Sequence, residues 1–93
     1  MPTVVIPSVL RQYTQEQAEL QVPDHSAMTL ASIFDRLAED FPAFNRKVRD
    51  ETGALRRFVN VYLDGEESRR LRGLESEVPP GAEVLIIQSV AGG

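Results

Sequence analysis

The sequence predicts an α+β domain in which a mixed sheet of about five strands packs on one main helix. Three observations predict it. Leu30, Ile33, Phe34, Leu37, Ala38 and Phe41 fall at i, i+3, i+4, i+7, i+8 and i+11, the apolar stripe of an amphipathic helix. Segments rich in β-branched residues lie on both sides of that stripe in the chain. Asp64-Gly65 and Pro79-Pro80-Gly81 are sharp-turn signals that fold the second group back on itself. Ninety-three residues allow one core, which two layers suffice to bury.

Taken in order, Thr3 to Leu10 (TVVIPSVL) reads as a first strand, with Pro7 indicating an edge position or a bulge. Tyr13 to Gln17 is a polar turn. Ala18 to Val22 alternates Ala18, Leu20 and Val22 with Glu19 and Gln21, as a half-buried strand does, so the two propose a hairpin. Pro23 to Ala27 is a loop, and Thr29 is placed to cap the following helix. The helix stripe is read as core in preference to a groove for a partner. Pro42 disfavours helix at Phe41.

Phe44 to Leu55 mixes charges with few apolar residues and predicts a short helical turn followed by an irregular loop. Arg46, Lys47, Arg49, Arg56 and Arg57 make this the most basic part of the chain. Asp50 and Glu51 interrupt it and no aromatic platform is interleaved, which argues against nucleic acid and leaves a solvated face or a docking site for an acidic protein patch. Phe58 to Leu63 is a strand with Val59, Val61 and Leu63 toward the helix and Phe58, Asn60 and Tyr62 on the other side. Glu66 to Arg70 should return as a short partner strand, and Leu71 to Val78 is loop or one helical turn. Glu83 to Ser89 is the last strand. Val84-Leu85-Ile86-Ile87 is apolar at every position, as in a central strand wanting cover on both faces.

Composition removes several chemistries. With no cysteine there are no disulfides, thiolate metal sites or cysteine nucleophile, and His25, the sole histidine, reads as a loop residue between Asp24 and Ser26. A net charge of -4 disfavours phosphate backbones, and no apolar run approaches the ~18 residues of a membrane span. No secretory signal is read at MPTVVIPSVLR, so the expected location is cytoplasmic.

What remains is the C-terminal run VLIIQSVAGG. It carries no charged side chain, so its formal charge is the terminal carboxylate of Gly93, on a residue without a β-carbon that follows another such residue. We read that carboxylate as the reactive group. Residues 1–89 are expected to form the domain and residues 90–93 a flexible tail. If Val84 and Ile86 point inward, Leu85 and Ile87 join Phe58 and Tyr62 in an apolar patch on the open sheet face beside that tail. Scattered surface exposure is the plainer reading of the same residues.

In this order of elements, with RFVNVYLDGEE at Arg57 to Glu67, the PPG turn and the terminus QSVAGG, the chain resembles the ubiquitin-like β-grasp sulfur carriers of the MoaD/ThiS family. Within that family it is most like the CysO type, whose opening strand is similar to IPSVLRQYT at Ile6 to Thr14. With glycine near 7% of residues, a terminal diglycine arises by chance in about one chain in 200, so the pair gains its weight from the fold order around it. The resemblance implies a carrier that is no enzyme itself and binds no cofactor. Its Gly93 carboxylate would be adenylated by an E1-like enzyme of the MoeB/ThiF type using ATP and magnesium, then converted to a thiocarboxylate with sulfur from a sulfurtransferase. A synthase would accept the sulfur and a metalloprotease would release the product. Val90, Ala91 and Gly92 would thread partner active sites, while Phe58, Tyr62, Leu85 and Ile87 would dock the body. Cysteine is the implied destination; thiamin, molybdopterin or a sulfur-containing natural product would draw on the same tail. Two rivals stay open, a modifier joined to lysines through Gly93 and a β-grasp interaction module whose glycines only finish the chain.

Overall fold

The computed structural model describes residues 1–24 and 28–89. Five strands form one sheet in the order β2-β1-β5-β3-β4: β1 Thr3–Val5, β2 Glu19–Gln21, β3 Val59–Leu63, β4 Glu66–Glu67 and β5 Glu83–Gln88. β5 is central, parallel to β1 and antiparallel to β3, so the sheet is mixed as expected. The helices α1 (Leu30–Asp40) and α2 (Pro42–Val48) supply the second layer. This is the predicted β-grasp arrangement.

α1 forms where the stripe placed it. Thr29 accepts from the Ser32 amide at 3.1 Å and the Ser32 hydroxyl accepts from the Thr29 amide at 2.9 Å, a reciprocal cap that satisfies two otherwise unpaired donors. Leu30, Ile33, Phe34 and Leu37 are buried with Val4, Ile6, Val59, Val61, Val84 and Ile86 from the inner face of the sheet. No helix among the described residues is long and apolar enough to cross a membrane.

Three expectations need correction. The first strand stops at Val5 and residues Ser8–Tyr13 form a 3-10 helix, not the second half of a strand. Pro7 causes this: β1 lies between β2 and β5, and a residue without an N–H cannot continue a ladder flanked on both sides, so it neither marks an edge nor bulges. The segment after Phe41 is a true second helix, because Pro42 sits at its first turn, where its missing N–H costs nothing, and Phe44 and Val48 anchor it in the core. The return strand is only Glu66–Glu67, since the chain enters a 3-10 turn at Ser68–Arg70. Asp64 and Gly65 carry φ of 48° and 86°, the doubly left-handed turn of a two-residue hairpin.

Candidate functional site

The site is built around the end of β5. Alternation along the strand buries Val84 and Ile86 against the helices and turns Leu85 and Ile87 to the open face. The β3–β5 register then sets Leu85 opposite Tyr62 and Ile87 opposite Asn60, and the β1–β5 register sets Val5 on the other side of Leu85. Phe58 continues the same side just before β3. It is 41% exposed and Ile87 40%, while Tyr62 and Leu85 are half-buried. The four residues assigned from the sequence to one face are therefore on one face.

Polar groups frame this patch. Arg69 donates to the side-chain oxygen of Asn60 and, at 3.2 Å, to the Val59 carbonyl, covering the edge of β3 where β4 has already turned away. The Arg57 guanidinium lies 5.5 Å from the centre of the Phe58 ring. The Ser89 amide donates to the Phe58 carbonyl at 2.8 Å, so the chain stays tied to the start of β3 one residue past the strand. The predicted tail residues Val90, Ala91, Gly92 and Gly93 lie outside the described residues, as does His25.

The other face of the same strand end was missed from sequence. Gln88 follows the parity of Val84 and Ile86, pointing to the helix side, where it lines an open depression with Tyr13, Ala43, Arg46, Lys47 and Arg56. Its side-chain oxygen is buried with no hydrogen-bond partner among the described residues. Leaving such a group unpaired costs about 1–3 kcal/mol. The basic character of the 46–57 segment was visible in the sequence, but which of its charges are already committed was not. Arg49 is: it is 8% exposed, donates to Asp35 at 2.9 Å and to Asn45 at 2.8 Å, and lies over the Phe34 ring. Arg46, Lys47 and Arg56 form no ion pair among the described residues.

No group of three or more His, Asp or Glu side chains among the described residues is arranged to hold a metal ion. Among the described residues, Asp50 is the one carboxyl held below its ordinary range. The Thr52 hydroxyl at 2.6 Å is the main cause, followed by the Thr52 amide at 2.8 Å, with smaller contributions from the Ala54 amide and the Arg56 charge working against desolvation. These bonds close the turn after α2 and lie outside the patch.

Comparison with known proteins agrees with this fold. The sulfur carrier protein CysO of Mycobacterium tuberculosis is 33% identical over 93 residues, covering 98% of this chain and 97% of that protein. A chain of the Amycolatopsis orientalis BexX/CysO complex superposes with a TM-score of 0.84 at 35% identity over the full length of both chains. SAMP1 from Haloferax volcanii shares the fold, with a TM-score of 0.83 at 22% identity over 99% of this chain and 98% of its own. The sequence matches the ThiS family profile over residues 4–93, reaching its last residue. On that match and on these relatives, the chain belongs to the ThiS family.

Proposed function

We propose that this protein is a sulfur carrier whose Gly93 carboxylate is adenylated and then converted to a thiocarboxylate. One observation carries the reading. In a chain alike over nearly its whole length to a named sulfur carrier, a strand held down to Ser89 is followed within four residues by a diglycine end.

A carboxylate resists substitution because it is anionic and its leaving group would be oxide. An E1-like enzyme holding ATP and magnesium removes that obstacle: a carboxylate oxygen attacks the α-phosphorus, pyrophosphate leaves, and the resulting mixed anhydride has AMP as its leaving group. Hydrosulfide displaces AMP directly to give the thiocarboxylate. Where the donor is a persulfide on a sulfurtransferase, its terminal sulfur displaces AMP and a thiol then reduces the acyl disulfide, leaving the thiocarboxylate and a disulfide. The sulfur is next nucleophilic toward an acceptor in a synthase, an activated serine derivative if the product is cysteine, with a metalloprotease cutting the adduct free. The chain is the substrate throughout, working in the cytoplasm.

The shared face of Phe58, Tyr62, Leu85 and Ile87 supports a docking role for the body at the end of β5, and Val90, Ala91 and Gly92 would thread the partner's channel. Gly92 and Gly93 reach backbone angles closed to other residues. Fixing backbone in a channel costs about 1–2 kcal/mol per residue, which docking of the body must offset.

The test is a mass spectrum of the C-terminal peptide after incubation with ATP, magnesium, the adenylating partner and sulfide. Replacement of one Gly93 oxygen by sulfur is the expected result. An isopeptide to a lysine of a target protein, or an unmodified Gly93, would sink the reading. The likeness to SAMP1 concerns the fold alone and gives the modifier no support of its own.

A further inference from the structure

The end of β5 has two unlike sides. Ile87 presents an apolar surface on the open face, while its neighbour Gln88 opens on the opposite face into the depression lined by Tyr13, Ala43, Arg46, Lys47 and Arg56. No carboxylate among the described residues lines that depression, in a chain whose acidic residues outnumber its basic ones by 14 to 10. Lys47 sits over the Tyr13 ring at 5.3 Å, and Arg56 is held by its own donation to the Arg46 carbonyl at 2.7 Å, so two of the three cations have fixed positions. Asp50 and Glu51 lie beyond Arg46 and Arg56 in a separate concavity and do not enter this one. The start of β5 is charged the other way: Asp64, Glu66 and Glu67 line a concavity there together with Arg70, and Glu83 is bonded to Asp64. Positive charge is thus concentrated at the end from which the tail departs.

We propose that this depression is a second contact surface, which receives an acidic segment of the partner protein whose channel takes the tail. The inference rests on the carrier reading above and specifies the partner: its channel mouth has an apolar wall on the side of Ile87 and a carboxylate-bearing wall on the side of Gln88. Complementary charge at the mouth accelerates encounter and fixes which way round the body docks, while the apolar wall supplies contact area. The occupant is a protein segment and not a free phosphate, because tail and depression share one strand end and are covered together when the tail is engaged.

Two measurements test this. In the first, a hexaglutamate peptide is titrated into the isotope-labelled full chain and followed by NMR. Shifts confined to Tyr13, Ala43, Lys47 and the Gln88 side-chain amide, fading as NaCl rises from about 20 to about 300 mM, are expected. Their absence, or the same shifts produced at lower concentration by inorganic phosphate or ATP, would overturn the proposal. In the second, the adenylation kcat/KM of Arg46→Glu/Lys47→Glu is compared with that of wild type and of Arg36→Glu, a charge reversal on α1. A loss of about tenfold or more in the double variant alone, shrinking at high salt, is expected. An unchanged kcat/KM in that variant overturns the acidic wall while leaving the carrier reading intact. Failure of the wild type to be adenylated overturns the carrier reading, and the peptide titration then still decides the depression.

Discussion

Asp64 and Glu83 close a two-bond ring: the Asp64 amide donates to the Glu83 carbonyl and the Glu83 amide donates to an Asp64 side-chain oxygen, each at 2.9 Å. The β3–β4 turn thereby grips the first residue of β5 and sets its register. A slip of one residue would move Leu85 and Ile87 into the core and Val84 and Ile86 out of it. Asp64→Ala removes the acceptor and places alanine at a φ of 48°, so a loss of about 1–2 kcal/mol is expected in chemical denaturation. Asp64→Asn keeps an acceptor and tolerates that φ, and should recover most of the loss.

Deleting Gly92 and Gly93 should abolish adenylation, measured by ATP-dependent pyrophosphate release, and leave the thermal midpoint where it was. Every ladder bond of the sheet lies at or before Gln88. Retained pyrophosphate release by the truncated chain would overturn the role given to Gly93.

Ile87→Glu places a charge on the open face beside Asn60, at a side chain already 40% exposed. Its stability should stay within about 0.5 kcal/mol of wild type, while the KM for activation rises. Unchanged activation kinetics would remove the patch from the account.

Phe44→Ala tests the second helix. Phe44 is fully buried, so truncation should cost about 3–5 kcal/mol. A cost near zero would return the segment to the short helical turn and irregular loop its composition first suggested.

The turn after α2 should be sensitive to acid. Asp50 is held below the ordinary carboxylate range in the folded chain because the Thr52 hydroxyl and amide favour its ionised form. With the folded value depressed, its stabilising contribution is complete above the unfolded value and disappears as pH falls through the folded one. Following the Asp50 carboxyl carbon by NMR should show a midpoint that moves up in Thr52→Val.

The parts of the fold legible in the sequence are those written as periodicity. The α1 stripe, the Thr29 cap, the Asp64-Gly65 turn and the face parity of Phe58, Tyr62, Leu85 and Ile87 all depend on a residue's own neighbours. That these four side chains are adjacent depends on the register between β3 and β5, which the sequence could only suggest through Val84 to Ile87 being apolar at every position. Pro7 was read against the wrong surroundings, because whether it edges a sheet or ends a strand depends on β1 having neighbours on both sides. Phe44 and Val48, spaced i, i+4 among charged residues, make a stripe too short to stand out. Arg49 and Gln88 were illegible for a related reason: the ion pair of Arg49 with Asp35 and the surroundings of Gln88 are set by segments distant in the chain.

The parallel pairing of β1 with β5 has a mechanical consequence. Thr3 lies beside Glu83 and Val5 beside Leu85, so the two ends of the chain leave these adjacent strands in opposite directions, Met1 near Asp24 at one end and the tail at the other. Traction on the tail, as when a partner tugs it through a channel, drags β5 lengthwise past β1 and loads the bonds between them together, in shear. A body held by its far end would resist that pull where an unzipping hairpin would yield bond by bond. A handle or surface tether attached at Met1 would likewise leave the tail's exit unobstructed.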